Sequence, residues 1–444
     1  MNHTATPPAS ITSPPSVSPN SAPIAMNPLT SPSSAFSPGT ALTSFPKQKI
    51  RVLLLEKISQ SAINLFDREG FQVDVIEKIS ESELIATIPQ YHAIGVRSKT
   101  QLTPAILTIA KRLLVIGCFC IGTDQVDLDV ASRSGIAVFN APFANTRSVA
   151  ELVIGEMICL ARQLTDRSKE CHLKKWNKKS SNCYEVRGKT LCIIGYGHVG
   201  SQLSVLAEAM GMRIQFYDIV PKLSLGLAVP KDSLIEALKG ADFVSLHVPA
   251  TEQTKHLISE TEIAAMKDGA FLLNAARGNV VDLNAVKNAL VSGKLHGAAI
   301  DVFPYEPSSG EESFETPLQG LPNVILTPHI GGSTEEAQVA IGVEVASKMI
   351  SFINTGSSIG AVNLPELSLL PHKLTHRILN IHLNVPGVLR DVNNVLAEYN
   401  VVAQILMTMG SVGYLIVDVE KGVSQEVKQK IAAISKSIKT RLLY

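Results

Sequence analysis

The chain has 444 residues, enough for roughly three domains, and 45% of its residues are apolar. Its 40 Lys and Arg residues and 39 Asp and Glu residues leave a net charge of +1, so no surface of one sign is available to bind nucleic acid or an anionic membrane. The longest apolar stretches, such as 113–122, are far shorter than the roughly 18 residues that a membrane span requires.

The six cysteines lie in apolar or helical contexts, and none forms a C-x-x-C pair with another. Such cysteines are typical of small buried apolar side chains, and they argue against a zinc site or a disulfide framework. We therefore expect no bound metal and a reducing compartment, most simply the cytoplasm.

Residues 1–46 form a segment with ten prolines and ten serines but no Asp, Glu, Lys or Arg. Because it has no hydrophobic period, it cannot bury enough apolar surface to offset its chain entropy, and we expect a disordered tail. The segment lacks the Arg-rich pattern of a mitochondrial presequence and the basic start and apolar run of a secretory signal.

From residue 50 onward, short apolar runs alternate with segments of helical period, which is typical of βα units around a parallel sheet. The predicted strands are 51–55, 72–76 and 93–97, and the predicted helices lie near 59–69, 81–88 and 103–112. This first α/β unit is predicted to end near residue 144.

A longer helix is predicted around 147–165, and a second α/β series begins after it. Its predicted strands are 190–194, 213–217, 242–248, 270–274, 297–302 and 323–327. Six strands with helices between them indicate a doubly wound parallel sheet. A helix at 335–353 follows.

A smaller unit is predicted from about residue 373 to the C-terminus. Its elements are strand 374–383, helix 387–398, hairpin strands 402–409 and 412–419, helix 424–437 and strand 439–443. This βαββαβ order is typical of a ferredoxin-like fold. Because about seventy residues form only a small core, we expect the unit to pair with a second copy that covers its sheet.

A glycine-rich loop, IIGYGHVG at 193–200, lies between a predicted buried strand and a predicted helix. Glycines in that position allow a tight turn and the close approach of backbone amides to a pyrophosphate at the helix N-terminus. The cofactor contacts predicted from this loop are Gly195, Gly197, His198, Val199 and Gly200.

Asp218 stands at the end of the next predicted strand, 18 residues after Gly200. A carboxylate there would accept hydrogen bonds from both ribose hydroxyls and would repel a 2′-phosphate, so NAD is favoured over NADP. The alternative is a glycine turn without a cofactor role, which any α/β fold can contain. The strand, the helix and the acidic residue in their required places argue against that alternative.

Ligands of open α/β sheets bind beyond the carboxyl ends of the strands, so the residues that follow each strand are candidates for the site. Further cofactor contacts are predicted on this basis at His247, Ala275, Ala276, Arg277, Asp301, His329, Gly331 and Gly332. Glu306 follows the same strand as Asp301. One Arg, one Glu and one His are therefore expected to converge on one edge of the sheet.

Those three residue types suit hydride transfer between a nicotinamide and a 2-hydroxy acid. Oxidation of a C–OH group needs a base, for which His329 is suited, and Glu306 would stabilise the imidazolium. Arg277 would grip the substrate carboxylate through both of its guanidinium branches. Each residue alone has an ordinary structural explanation, but all three at strand ends of one cofactor domain favour a catalytic site.

The stretches NAARGNVVD (274–282), AAIDVFPYEP (298–307) and LTPHIGGST (326–334) resemble the D-isomer-specific 2-hydroxyacid dehydrogenase family. The resemblance implies two doubly wound α/β domains, with a Rossmann-type cofactor domain at 145–331 inserted into a flavodoxin-like substrate domain at 47–144 and 332–372. The last part, 373–444, is similar to an ACT domain, a ferredoxin-like module that senses small molecules.

Within this family the chain is similar to members that oxidise 3-phospho-D-glycerate to 3-phosphooxypyruvate with NAD, in the first step of L-serine synthesis. The first alternative is a reductase of hydroxypyruvate, glyoxylate or 2-oxoglutarate, which usually lacks a C-terminal module. The second is a dinucleotide-sensing binding protein like the family's corepressors, which the missing basic surface does not favour.

The same resemblance assigns Arg97, Ser98 and Lys99 to the substrate side, where a 3-phosphate needs cationic and hydroxyl donors. The family usually has Asn where this chain has Asp124, and a carboxylate beside an anionic substrate makes a direct contact there doubtful.

The only tryptophan, Trp176, lies in the basic cluster HLKKWNKKS (172–180). By resemblance this segment meets a neighbouring subunit of a homo-oligomer, a tetramer, where Trp176 would be an anchor and Lys178 would approach the partner's cleft. The alternative is the solvated end of a helix.

In the C-terminal module, His382 and Asn384 precede the helix that begins after Pro386 and Gly387. In the family's effector-binding modules this position presents donors to an amino acid, so L-serine is an expected effector. The strand at 400–408 is shorter than usual and lacks an expected asparagine, which leaves a purely assembling module as the alternative.

Overall fold

The computed structural model of the chain describes residues 46–307 and 313–444. Apart from Pro46, the tail predicted at 1–46 lies outside the described residues. Within the described ranges, no helix is both long enough and apolar enough to cross a membrane. The same residues contain no cluster of three or more His, Cys, Asp or Glu that could hold a metal ion.

The first α/β unit is a five-stranded parallel sheet in the order β2-β1-β3-β4-β5, as expected for a flavodoxin-like domain. The strands are β1 (Arg51–Leu55), β2 (Gln72–Ile76), β3 (Ala93–Val96), β4 (Val115–Cys118) and β5 (Ala137–Asn140), and the helices are α1 (Gln60–Arg68), α2 (Glu81–Thr87), α3 (Pro104–Ile109) and α4 (Leu128–Arg133). Three of these strands match the predicted ones. The sequence did not predict β4 and β5; β4 lies within the longer apolar run 113–122, which does not mark where a strand begins and ends.

The second unit is a seven-stranded parallel sheet in the order β12-β11-β10-β9-β6-β7-β8. The strands are β6 (Thr190–Ile194), β7 (Arg213–Tyr217), β8 (Val229–Pro230), β9 (Phe243–Leu246), β10 (Ala270–Asn274), β11 (Leu295–Ile300) and β12 (Val324–Leu326). The helices are α5 (Thr146–Arg162), α6 (Leu164–His172), α7 (His198–Ala209), α8 (Leu234–Leu238), α9 (Glu260–Ala265) and α10 (Leu283–Ser292). The strand order reverses between β6 and β9, so the expected Rossmann-type sheet is confirmed.

In this unit one predicted helix is too long, one strand was not predicted, and the strands predicted at 242–248, 297–302 and 323–327 have different bounds. The helix predicted at 147–165 ends at Arg162, because Gln163 adopts a left-handed conformation with φ of 50° and α6 starts in a new direction. The two-residue strand β8 was not predicted, because it adds a short edge after a long loop.

Helix α11 (Glu335–Thr355) returns from the second unit and packs against α1, β4 and β5 of the first. The approach is close at Gly117 on β4, where a Cβ atom would lie 2.3 Å from the Met349 sulfur and 2.7 Å from Val345. Glycine is therefore required at 117 for α11 to cover the sheet. The chain thus enters the first unit twice.

The C-terminal unit has the predicted ferredoxin-like fold, with an antiparallel sheet in the order β14-β15-β13-β16. Its elements are β13 (Thr375–Leu383), α12 (Val388–Leu396), β14 (Val401–Met409), β15 (Val412–Glu420), α13 (Ser424–Ala432) and β16 (Ser437–Leu443). The last helix ends five residues before the predicted boundary, since β16 starts at Ser437.

Both faces of this sheet are covered by the same chain. Ile378, Leu415 and Val417 pack under α12 and α13 on one face. Tyr414 and Ile416 belong to the same apolar cluster as the core of the first unit on the other face. The expected second copy is therefore not needed to cover the sheet, although the edge strand β14 keeps exposed side chains.

Candidate active site

The glycine-rich loop connects β6 to α7 as predicted. Gly195 has φ of 93°, and a Cβ atom there would lie 2.4 Å from the carbonyl oxygen of His247. A Cβ atom at Gly200 would lie 2.2 Å from the carbonyl oxygen of Gly195. Because only glycine fits either position, the loop turns tightly and α7 begins at His198 with Gly197 as its N-cap. The open N-terminus of this helix suits a pyrophosphate.

Asp218 follows β7 and lies beside that loop. Its Oδ2 accepts from the amide of Tyr196 at 2.8 Å, and its Oδ1 accepts from the amide of Val220 at 2.9 Å. Each carboxylate oxygen keeps a further lone pair for a ribose hydroxyl. The loop therefore fits the pyrophosphate of an adenosine diphosphate group, and the carboxylate fits its ribose.

His247 follows β9, and its main chain packs against the glycine-rich loop. Its Nε2 is 2.9 Å from the hydroxyl of Ser245, and burial lowers its pKa to about 4. The imidazole is therefore neutral at physiological pH. The carbonyl of His247 lies against Gly195 of the glycine-rich loop.

His329 and Glu306 form the predicted pair, with His329 Nδ1 2.8 Å from Glu306 Oε2. This hydrogen bond raises the pKa of His329 above the ordinary histidine value, although burial opposes the shift. Burial alone would raise the pKa of Glu306, but hydrogen bonds from His329 and the Phe303 amide hold it below its usual value. Because ionised Glu306 only accepts, Nδ1 carries the proton and Nε2 is left to act as the base.

Asp301 orders the turn that carries His329. Only 1% of the residue is exposed, and its carboxylate accepts from the Thr327 hydroxyl and from the amides of Ile330 and Gly331. Its carbonyl accepts from the amide of His329 at 2.8 Å. Asp301 therefore shapes the turn that presents His329, and its contact with the cofactor stays a prediction.

Arg277 follows β10 on a turn ordered by buried Asn274. The Asn274 side chain accepts from the Ala276 amide and donates to the Arg277 carbonyl, each at 3.0 Å. The Arg277 guanidinium donates to the Ala276 carbonyl and lies 3.7 Å from the Cβ position of Gly122. Arg277 therefore reaches from the cofactor sheet to the first unit.

The substrate-side residues lie beyond the end of β3. Ser98 and Lys99 are exposed, and the Arg97 guanidinium donates to the Lys57 carbonyl at 3.1 Å. Burial raises the pKa of the Cys120 thiol, and the charges of Arg97 and Arg277 both act on it. Arg97 and Arg277 thus both lie near Cys120.

Asp124 lies beside Gly122, with its Oδ2 3.1 Å from the Cβ position of that glycine. Gly331 and Gly332 follow His329, and a Cβ atom at Gly332 would lie 2.2 Å from the Asn145 side chain. The chain therefore passes closely between the two units at this point.

Sequence reasoning missed two residues of the site. The Phe143 ring lies 3.8 Å from the His198 ring, which joins the loop after β5 to the first turn of α7. The Glu56 carboxylate holds the main chain of the Arg97 segment. Neither follows a recognisable motif. The only signal in the sequence was that Glu56 is a charged residue directly after a buried strand.

The structure does not bring the predicted effector residues into one open site. His382 is only 3% exposed, and its Nδ1 lies 3.0 Å from the Asn380 side-chain oxygen. The Asn384 side chain is exposed and donates to the Gly410 carbonyl at 3.0 Å. His382 is a buried residue of β13 packed against Gly413, and its role in effector binding stays a prediction.

Comparison with known proteins agrees with this geometry. Residues 154–331 match the family described as D-isomer specific 2-hydroxyacid dehydrogenase, NAD binding domain. A D-3-phosphoglycerate dehydrogenase of Dictyostelium discoideum is 57% identical over 403 residues, covering 90% of this chain and 99% of the relative. The D-3-phosphoglycerate dehydrogenase of Escherichia coli K12 is 47% identical, covering 91% of this chain and 100% of the relative.

Solved structures show the same likeness. The crystal structure of D-lactate dehydrogenase from Aquifex aeolicus, complexed with NAD and lactic acid, matches with a TM-score of 0.61 and 29% identity, over 71% of this chain and all of the other. The matched family domain spans the glycine loop, Arg277, Glu306 and His329, so NAD is the cofactor of this site. On the strength of these relatives, the chain belongs to the D-isomer-specific 2-hydroxyacid dehydrogenase family.

Proposed function

We propose that this protein oxidises 3-phospho-D-glycerate to 3-phosphooxypyruvate with NAD, as the first step of L-serine synthesis. The observation that carries the proposal is the His329–Glu306 pair at 2.8 Å on the sheet edge that also holds Arg277 and the glycine loop. The names of the relatives support the substrate, since proteins 47% and 57% identical over nine-tenths of the chain are D-3-phosphoglycerate dehydrogenases.

The residues of the chain divide the work of the reaction. Neutral His329 takes the hydroxyl proton at Nε2, and Glu306 stabilises the imidazolium that forms. Arg277 holds the substrate carboxylate and orients the carbon that loses its hydride. The chemistry supplied by bound NAD is acceptance of that hydride.

The 3-phosphate is assigned to Arg97, Ser98 and Lys99. Two of these side chains are cationic and the third carries a hydroxyl, which suits a dianion. Support comes from their place at the end of β3, where Arg97 and Arg277 act on the same thiol.

The test follows NADH oxidation by purified full-length protein with 3-phosphohydroxypyruvate, hydroxypyruvate and 2-oxoglutarate in parallel. We expect the highest kcat/KM with the phosphorylated substrate. Preference for hydroxypyruvate or 2-oxoglutarate would instead identify a reductase of the same family. Binding of NADH without turnover of any of the three would favour the dinucleotide-sensing alternative.

A homotetramer in the cytoplasm is part of the proposal. Trp176 is 88% exposed and Leu173 is 58% exposed in the basic segment after α6, which suits burial against a second copy. All six cysteines are free, which suits a reducing compartment. Sedimentation of the unmutated protein and of Trp176→Ala tests the assembly, and a tetramer in both would remove Trp176 as an anchor.

L-Serine is the proposed effector of the C-terminal module. Asn384 remains an exposed polar residue at the end of β13, where an amino acid can reach it. We expect L-serine to lower the rate, and Asn384→Ala to abolish that effect while leaving uninhibited turnover intact, because an effector acts only through its different affinities for two states. Titrating L-serine, glycine and homocysteine against the initial rate checks this. No inhibition of the unmutated protein by millimolar serine would leave the module an assembly role.

A further inference from the structure

The main chain that carries the three substrate-side residues is held by a single carboxylate. Glu56 Oε1 accepts from the amides of Arg97 and Thr100 at 3.0 and 3.1 Å. Glu56 Oε2 accepts from the amide of Lys99 at 3.4 Å. Because β3 ends at Val96, these amides lie beyond the sheet, and the carboxylate takes the place of a neighbouring strand.

A second side chain holds the same segment from the opposite side. Gln125 is 5% exposed, and its Nε2 donates to the carbonyl of Arg97 at 2.5 Å. Both main-chain polar groups of Arg97 are therefore bonded to side chains from other loops. The Arg97 guanidinium is fixed as well, through the carbonyl of Lys57, the residue after Glu56.

The conformation of Glu56 indicates that this contact shapes the loop. Its φ is 63°, in the left-handed region that favours glycine, and its amide still donates to Ile76 at 3.2 Å. A non-glycine residue persists in that region only where the surrounding structure fixes it, and such positions concentrate at binding sites. The turn directs the carboxylate toward segment 97–100.

The neighbouring strand provides an internal comparison. Leu55 pairs with Ile76, so Glu77 follows β2 at the position where Glu56 follows β1. Glu77 is exposed, and it makes no side-chain hydrogen bond or ion pair to any residue that the structure describes. The position directly after a strand is therefore not enough for a glutamate to bind a neighbouring segment as Glu56 binds segment 97–100.

We propose that Glu56 is a positioning residue that fixes the anion-binding segment of Arg97, Ser98 and Lys99, and so selects substrates that carry a phosphate. The inference rests on the proposed function. Three N–H groups offset the charge of the carboxylate, so it holds the segment while the cationic side chains remain available for an anion. Its removal loosens binding of the phosphate and leaves the hydride and proton transfers at Arg277 and His329 unaffected.

The test is Glu56→Gln in the full-length protein, with 3-phosphohydroxypyruvate and hydroxypyruvate as paired substrates. Glutamine has the same shape, but it offers one acceptor oxygen and turns N–H donors toward the amides. We expect the KM for 3-phosphohydroxypyruvate to rise about tenfold with kcat changed less than about twofold. The KM for hydroxypyruvate and the Kd for NADH should stay within about twofold.

Glu77→Gln is the matched control and should change none of these quantities. Glu56→Gly is the second variant, because glycine adopts the positive φ without strain while removing the carboxylate, and it should raise the same KM. An unchanged or lower KM for 3-phosphohydroxypyruvate in Glu56→Gln would overturn the proposal, as would an equal rise for both substrates. Failure of the unmutated protein to reduce 3-phosphohydroxypyruvate would refute the proposed function itself, and this inference with it.

Discussion

The His329–Glu306 pair determines how the rates of oxidation and reduction change with pH. The Glu306 hydrogen bond raises the pKa of His329, and oxidation needs the neutral ring. The rate of oxidation therefore increases as pH rises through the raised pKa, and the rate of reduction decreases over the same interval. The Glu306 carboxylate stabilises the imidazolium of His329. It therefore favours reduction, the direction that starts from the protonated ring.

The first prediction concerns Glu306→Gln. An amide stabilises the imidazolium less than a carboxylate does, so the pKa of His329 should fall toward the ordinary histidine value. In kcat/KM profiles, the acid limb of oxidation should move to lower pH, and the maximal rate should fall about 10²- to 10⁴-fold. Profiles of both directions measured with NAD and NADH check this. An acid limb that stays in place would assign the titration to another group.

Arg277→Lys tests the grip on the carboxylate. A lysine keeps the charge but lacks the paired N–H donors, so kcat/KM should fall about 10- to 100-fold. NADH affinity should change much less than kcat/KM, because the glycine loop and Asp218 are not altered and the charge at 277 is kept. Exposed Arg213→Lys at the start of β7 is the control and should behave like the unmutated protein. Retained turnover in Arg277→Lys would remove this residue from the site.

Single residues of the site were predictable where they follow strands of the cofactor sheet. Arg277, Glu306 and His329 belong to that group because every parallel strand delivers its next residues to the same edge. Glu56 was not predictable, since its partners lie 41 to 44 residues further along the chain. The sequence shows the place of Asp301 after a strand but not that its carboxylate also holds the turn around His329.

At the level of elements, the turns after β10 and β11 set the spacing between Arg277 and Glu306. Gly278 lies against the second turn so closely that a Cβ atom would be 1.9 Å from the carbonyl carbon of Phe303 and 2.5 Å from the nitrogen of Pro304. These are main-chain atoms, which cannot rotate away. The two turns are therefore packed backbone to backbone, and the glycine between them controls the position of Glu306.

Gly278→Ala should consequently damage activity and stability together. Inserting a methyl group there shifts the turn at Phe303, so we expect a loss of about 1–3 kcal/mol of unfolding free energy and a lower kcat. Gly155→Ala in α5 is the matched control, because a Cβ atom there has no neighbour within 4 Å. That variant should be neutral or stabilised by about 0.5–1 kcal/mol. Thermal melts with initial rates check both, and full activity of Gly278→Ala would contradict the packing argument.

Strands were predictable where polar residues bound a short apolar run, as at β1 and β6, although both are buried along nearly their whole length. Strand β4 was not predicted, because it lies inside the longer apolar run 113–122. In the C-terminal module, eight of the nine residues of β15 are buried, a continuous pattern that indicates cover on both faces. The sequence does not show that α11 and the first sheet supply that cover.

At the scale of the whole molecule, the C-terminal module is joined to the first α/β unit by buried polar contacts. The Arg377 guanidinium is bidentate to Asp418, with neither side chain exposed, and also donates to the carbonyls of Thr355, Leu369 and Leu370. Tyr414 donates to the Gly356 carbonyl at 2.6 Å. The end of α11 and the linker after it are thus fixed to β13 and β15.

The last prediction concerns Arg377→Met and its combination with Asp418→Leu. Arg377→Met alone leaves a buried carboxylate without a partner and should destabilise the module by about 3–5 kcal/mol. The double variant removes that charge and should recover only part of the loss, because the three carbonyls at the linker remain without their donor. Arg390→Met, which breaks an exposed pair with Asp391 on α12, is the control and should change stability by less than about 1 kcal/mol.

Calorimetric melts of the four proteins, with limited proteolysis of the linker, separate the two contributions. Recovery of stability in the double variant while linker cleavage stays fast would show that Arg377 docks the module through the carbonyls and not through Asp418 alone. Full recovery of both would reduce the role of Arg377 to the ion pair. If Arg377→Met had the same stability as Arg390→Met, the buried charge would not matter at this junction. The apolar contacts of Tyr414 and Ile416 with the first α/β unit would then hold the module by themselves.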